Sequence, residues 1–280
     1  MPRTRPDRCP GALRPWLADD GPLVRLRTVG GELPAATLAG LSDLAATYGD
    51  GDVHLTARAN LQLRAVDHGE PFLQAVEALG LLPSRAHDQA RNVMVSPLTG
   101  LRGGRVDLRP LAAALDRAIL ADDRTPELPG RFLLVLDDGR GDLVDRDTDL
   151  GLMALDDRFA QLRVGAGWGP VVPLDHAVDA LLALVHRFLD LRGTGGRTDT
   201  APWHVTELDP ATPLLAPEPP DRRTTARTAP PGHAPGHDLG DALLPVPDGR
   251  LTPDLAALAT STGGPVVVTP WHSIIRTDLL

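Results

Sequence analysis

The chain contains no lysine and only one cysteine, Cys9, in 280 residues. All 28 basic side chains are therefore arginines. Without lysine there is no Schiff base, no phosphate-loop lysine and no kinase-type lysine. A single thiol excludes an intrachain disulfide, a CxxC pair and a Cys-rich zinc site. It also excludes a four-thiolate iron–sulfur cluster held by these residues alone. One cysteine fits a reducing compartment, and cytoplasmic residence is the expectation. Aromatic residues are scarce at 3%, but 42% hydrophobic residues suffice for a core. No run approaches the ~18 apolar residues of a membrane span. Residues 1–15 carry arginines without an apolar stretch, so no signal peptide is expected. A net charge of −9 argues against a general nucleic-acid surface. Neither a membrane nor a nucleic acid is an expected partner.

Pattern and punctuation divide the rest. Val24–Leu26 alternates with Arg25 and Arg27 as a strand and ends at Gly30-Gly31. Leu38, Leu41, Leu44 and Ala45 mark a helix over 37–48, with Gly49 at its C-terminal end. Residues 53–66 read as one long strand, and Pro71–Leu81 as a short helix. This β-α-β-α run has the size of a ferredoxin-like half-domain. Next come a strand entering a turn (92–100), a helix (108–120), a strand (131–136), two short strands (161–165 and 170–172) and a helix (174–191). Asp209–Gly236 holds eight prolines and few apolar residues, which predicts an extended, mobile linker. A helix over 253–260 and strands over 265–269 and up to Ile275 close the chain. The expected domains are 1–82 (first ferredoxin-like half), 83–208 (α/β core half), 209–238 (Pro-rich linker) and 239–280 (second ferredoxin-like half).

Two segments repeat. Gly31-Glu32-Leu33-Pro34, a helix, a Gly-Asp-Gly turn and Val53-His54-Leu55-Thr56 match Gly249-Arg250-Leu251-Thr252-Pro253, a helix, Gly263-Gly264 and Val266-Val267-Val268-Thr269. The fold class is therefore α+β: duplicated ferredoxin-like halves in a pseudo-two-fold unit, with one α/β core half inserted.

Within 53–66, strand alternation puts Thr56, Arg58, Asn60, Gln62 and Arg64 on one face. That row has two cations and no carboxylate, unlike an ordinary solvated face. Arg25 and Arg27, Arg91-Asn92 and Arg131 fit the same idea. Guanidinium groups bind carboxylates bidentately and stay charged, so the set suits a polycarboxylate ligand. Asp137, Asp138 and Asp142 have the chemistry to chelate a hard cation, but their spacing is not a calcium loop, and a Gly-Asp turn is the better reading. His233 and His237 read as solvated; Trp203-His204 and Trp271-His272 read as packing residues.

Val24-Arg25-Leu26-Arg27-Thr28-Val29-Gly30-Gly31 comes first. Leu55-Thr56-Ala57-Arg58-Ala59-Asn60-Leu61-Gln62-Leu63 follows, then Arg91-Asn92-Val93, Ser96-Pro97-Leu98-Thr99-Gly100 and Leu128-Pro129-Gly130-Arg131-Phe132. In that order they resemble the nitrite/sulfite reductase family. Cys9-Pro10-Gly11 and Val268-Thr269-Pro270-Trp271 look most like its cobalamin-pathway branch. The resemblance implies an oxidoreductase component that binds an anionic tetrapyrrole, either sirohaem or a precorrin-type ring. Arg27, Arg58, Asn60, Gln62, Arg64, Arg91, Asn92 and Arg131 would line the tetrapyrrole face. The family also carries a [4Fe–4S] cluster whose cysteines lie in a second core half, beyond the region matched here. The resemblance therefore implies a separate cluster-bearing polypeptide and an electron donor as partners. Where the family has Arg after Thr-Pro-Trp, this chain has His272. Where reductases have a Lys-x-Lys pair after Leu-Pro, it has Arg131 and Leu133. A non-catalytic tetrapyrrole-binding module and a degenerate truncated paralogue remain open as alternatives.

Overall fold

The computed structural model describes residues 9–193, 201–226 and 237–280. In chain order the strands and helices begin with β1 (Trp16–Ala18), β2 (Gly21–Leu26), β3 (Glu32–Leu33), α1 (Ala35–Tyr48), β4 (Val53–Leu55), β5 (Leu61–Leu63) and α2 (Glu70–Ala78). They continue with β6 (Val93–Val95), α3 (Arg109–Ala121), β7 (Leu134–Asp137), β8 (Leu150–Ala154), β9 (Phe159–Val164), β10 (Gly167–Pro173), α4 (Ala177–Arg192) and the one-turn α5 (Arg222–Thr225). Last come β11 (Leu243–Pro245), β12 (Arg250–Leu251), α6 (Pro253–Thr260), β13 (Val266–Val268) and β14 (Ser273–Arg276). Two compact units result: Cys9–Gln89 with the described residues after 236, and the described residues from Ala90 to 226.

The first unit contains both repeats. One sheet runs β1-β2-β5-β4-β12 and the other β11-β14-β13-β3. The leading strand of each repeat crosses to the sheet of its twin. β12 pairs with β4 (Arg250 opposite His54, Leu251 opposite Val53), and β3 pairs with β13 (Leu33 opposite Val266, Glu32 opposite Val267). α1 packs on α6. One core draws Leu38, Leu41 and Leu61 from the first repeat and Leu251, Val268 and Ile274 from the second. Gly31 and Gly249 precede the swapped strands with φ of +76° and +68°. A Cβ on Gly31 would sit 2.1 Å from the Val268 carbonyl oxygen, and one on Gly249 would sit 2.9 Å from that of Leu55. Glycine is the residue that tolerates both the left-handed backbone and the close approach.

The helices lie close to their expected positions, because Leu38, Leu41 and Leu44 are buried at helical spacing and Gly49 returns its N–H to the Ala45 carbonyl (2.9 Å). The long strand over 53–66 is not formed. Thr56–Asn60 is a tight turn between β4 and β5, and those two strands pair as a hairpin. Alternating Leu55, Ala57, Ala59, Leu61 and Leu63 imitates a strand, but the Thr56 hydroxyl offers the backbone a competing partner.

The second unit is a five-stranded sheet ordered β10-β9-β8-β7-β6, with β6, β7 and β8 parallel. α3 packs against α4. β8 reads poorly in the sequence because Leu150-Gly151-Leu152-Met153-Ala154 is buried throughout and shows no alternation. The described part of the Pro-rich stretch, up to residue 226, packs on this sheet instead of running free. Leu214 is buried, the Glu218 N–H donates to the Trp168 carbonyl (2.8 Å), and the Gln161 side chain bonds the Pro219 carbonyl and the Asp221 N–H. His233 lies outside the described residues.

Candidate functional site

The Thr56–Asn60 turn is built from its own backbone and one hydroxyl. The Thr56 N–H donates to the Asn60 carbonyl (2.9 Å) and the Ala59 N–H to that of Thr56 (3.0 Å). Thr56 Oγ1 accepts the N–H groups of Arg58 (3.3 Å) and Asn60 (3.0 Å). Ala59 sits at φ +56°. Arg58, half-buried, sits at the middle of this turn. The expected row of five polar side chains on one strand face is therefore replaced by a turn carrying Thr56, Arg58 and Asn60. Gln62 lies in β5, and Arg64 follows it.

Several expected ligand residues are occupied by the scaffold. Gln62 Oε1 accepts both Nε (3.1 Å) and Nη2 (2.6 Å) of Arg25, its cross-strand partner. Arg27 is 3% exposed and donates to the Asp88 carbonyl (2.8 Å) and to Cys9 Sγ (3.5 Å). Buried Asn60 accepts the Thr28 N–H (3.1 Å), and the Thr28 hydroxyl donates to the Ala59 carbonyl. Arg64 pairs with Asp20 (2.7 Å) at the surface and holds that carboxyl below its ordinary range. In the second unit, Arg91 makes a bidentate pair with Asp116 (2.6 and 2.9 Å), and Asn92 donates to the Gly130 carbonyl (2.7 Å). Arg131 is exposed, with its guanidinium 5.7 Å from the centre of the Trp203 ring. Arg58 is half-buried and belongs to the first unit, whereas Arg131 is exposed and belongs to the second. The partners Asp116, Asp88 and Thr28 carry no local sequence signal, because each lies far along the chain from the group it holds.

Repeat symmetry reveals a second turn. The Thr269 N–H donates to the Ser273 carbonyl (2.9 Å), Thr269 Oγ1 accepts the Trp271 N–H (3.2 Å), and His272 sits at φ +53°. Position by position, Thr269 matches Thr56, Trp271 matches Arg58, His272 matches Ala59 and Ser273 matches Asn60. The alignment of Thr-x-Arg-x-Asn with Thr-x-Trp-x-Ser is the signal that could have found it. Trp271 is half-buried, but His272 is exposed, so the packing reading fails for the histidine.

The acidic segment after β7 is a turn. Asp137 accepts the N–H groups of Gly139, Gly141 and Leu143 (2.9, 2.9 and 3.1 Å). Asp138 holds the Arg140 guanidinium (2.7 Å), and Asp142 accepts the Ser96 hydroxyl (2.8 Å). Burial, then the charge of Asp137, pushes the Asp142 carboxyl up to about 7. Among the described residues, no cluster of three or more His, Cys, Asp or Glu is placed to hold a metal.

The residues do not fit an iron–sulfur cluster: the one thiol, Cys9, is buried and receives guanidinium N–H groups from Arg25 and Arg27 (3.5 Å each). A carboxylate-bearing ligand suits the arginine that the first turn carries. Two cavities in the second unit, of about 610 and 300 Å³, are lined by none of the eight candidate residues.

Residues 18–71, which include the first turn, match the Nitrite/Sulfite reductase ferredoxin-like half domain. A precorrin-3B synthase from Sinorhizobium sp is 30% identical over 132 residues, covering 47% of this chain and 28% of that protein. The structure of the NirA protein of Mycobacterium tuberculosis superposes with a TM-score of 0.68 at 17% identity, covering 96% of this chain and 57% of that one. The chain thus spans between about a quarter and three-fifths of these relatives. The resemblance to the nitrite/sulfite reductase family, and within it to precorrin-3B synthase, is borne out, as is the α+β fold with ferredoxin-like halves. No helix among the described residues is long and apolar enough to cross a membrane.

Proposed function

We propose that this nitrite/sulfite-reductase-like chain is a precorrin-3B synthase-like component of cobalamin biosynthesis that binds an anionic tetrapyrrole in the cytoplasm. One observation supports the reading: the Thr56–Asn60 turn carries Arg58 at its middle, within the segment that matches the half-domain. The ring's carboxylates are the groups such a cation recognises. Asn60 is part of the turn that carries Arg58, and Asn92 bonds the Gly130 carbonyl next to Arg131. Redox chemistry would come from the ring's metal and from a cluster held outside these residues, with an electron donor. This chain's residues bind and orient the ring. The single cysteine also favours a second reading, a tetrapyrrole-binding module without catalysis.

Titration of the full chain with sirohaem or uroporphyrin tests the proposal. The expected result is a shifted Soret band, with affinity falling about tenfold in Arg58→Ala, the equivalent of one lost charge-assisted contact. No spectral shift with the unmutated chain sinks both readings. Stoichiometric iron and acid-labile sulfide on the chain alone would overturn the assignment of the cluster to a place outside these residues.

A further inference from the structure

The strand exchange brings the two Thr turns to one end of the repeat unit. A Cβ placed on Gly31, at the root of β3, would touch both the Val268 carbonyl, one residue before the second turn, and Ala59 of the first turn (2.1 and 3.4 Å). A Cβ on Gly249, at the root of β12, would touch the Leu55 carbonyl, one residue before the first turn, and the His272 ring of the second (2.9 and 3.3 Å). Each turn therefore lies beside the strand end that leads into the other. Their middle residues are Arg58 and Trp271, equivalent by backbone hydrogen bonding and both half-buried. The duplication has kept the turn and replaced a cation by the largest aromatic side chain.

From this pairing we propose that Trp271 is a specificity-determining residue of the site, supplying a flat apolar surface while Arg58 supplies the charge. The ligand class this selects is a planar conjugated ring system bearing carboxylates, as opposed to any polycarboxylate. An indole face stacks on a conjugated ring and is indifferent to an open-chain acid, whereas a guanidinium binds both. The inference rests on the proposed tetrapyrrole reading and deepens it.

The test uses the full chain, uroporphyrin as the planar probe and citrate as the open-chain competitor. Trp271→Phe keeps a ring, and Trp271→Leu keeps apolar bulk without one. Uroporphyrin should bind the Phe variant within threefold of the unmutated chain and the Leu variant about tenfold more weakly, in line with the loss of one stacking contact. Citrate competition should be unchanged in both variants and weakened in Arg58→Ala. Equal uroporphyrin affinity in the Leu and unmutated proteins, with Arg58→Ala still impaired, overturns the role of Trp271 and leaves the tetrapyrrole reading standing. No uroporphyrin binding by the unmutated chain overturns both.

Discussion

The two repeats have the same backbone but different side chains. Each enters through a glycine in the left-handed region, gives its first strand to the other's sheet and closes a turn on a threonine hydroxyl. Around that frame, Arg58, Ala59 and Asn60 become Trp271, His272 and Ser273. Arg25 and Arg27, in and just after β2, have no basic counterpart in Leu243-Leu244-Pro245 of β11. Duplication kept the backbone frame and varied the side chains on it, buried Asn60 and Ser273 as well as exposed His272.

The sharpest test is the pair of glycines. Gly31→Ala should cost about 4 kcal/mol, because the left-handed φ adds to a 2.1 Å collision with a carbonyl oxygen. Gly249→Ala meets its carbonyl at 2.9 Å and should cost about 2 kcal/mol. Urea unfolding of the two variants measures the difference; equal losses would show that the repeats are not tuned separately.

A third turn sharpens the contrast, since Gly139–Leu143 is held by carboxylates where the repeats use hydroxyls. Burial raises the Asp142 carboxyl from 3.8 to about 7, so the folded state binds its proton more tightly than the unfolded state. That contribution is fully present below pH ~4 and is lost as pH rises through ~7. Asp142→Asn removes the loss. The variant should gain on the unmutated chain across that window, by roughly 2–3 kcal/mol above pH 7. The losses in Thr56→Val and Thr269→Val, taken relative to the unmutated chain, should not change with pH in parallel unfolding curves.

Smaller effects separate the turns further. Asn60→Ala strands the buried Thr28 N–H and should cost about 2 kcal/mol. Ser273→Ala should cost about 1 kcal/mol, because the corresponding Val246 N–H is satisfied by the His272 backbone carbonyl (2.9 Å) and only a hydroxyl pair is lost. Arg64→Ala breaks an exposed pair with Asp20 and should stay within about 0.5 kcal/mol by the same assay.

Much of this was legible in the sequence. Apolar spacing placed α1 and α6, and the matched Gly-x-Leu segments announced the duplication. The exchange of β3 and β12 was not legible, because a two-residue strand has no period and its partner lies at the far end of the chain. The 53–66 segment misled because alanines at 57 and 59 keep a strand's alternation through a turn. The arginines were identified by type and not by role. Nothing near Arg91 foretells Asp116, and nothing near Arg27 foretells Cys9 and Asp88. A guanidinium suits a buried carboxylate or carbonyl as well as a ligand, and only the fold decides which it meets.

Exchange of the leading strands also fixes a schedule. Residues 32–33 pair with 266–267, so β3 leaves the ribosome with no edge to join until the whole intervening unit and most of the second repeat have been made. β4 likewise waits for residues 250–251 with one side bare. During synthesis the first repeat is an unfinished sheet of β1, β2, β5 and β4, backed by α1 and α2. Its completion is a late, long-range closure of the kind that folds slowly and leaves strand edges open to misassembly. A piece ending before residue 240 would keep the matched half-domain sequence and the Arg58 turn, yet lack the strand and helix that complete their sheet and core.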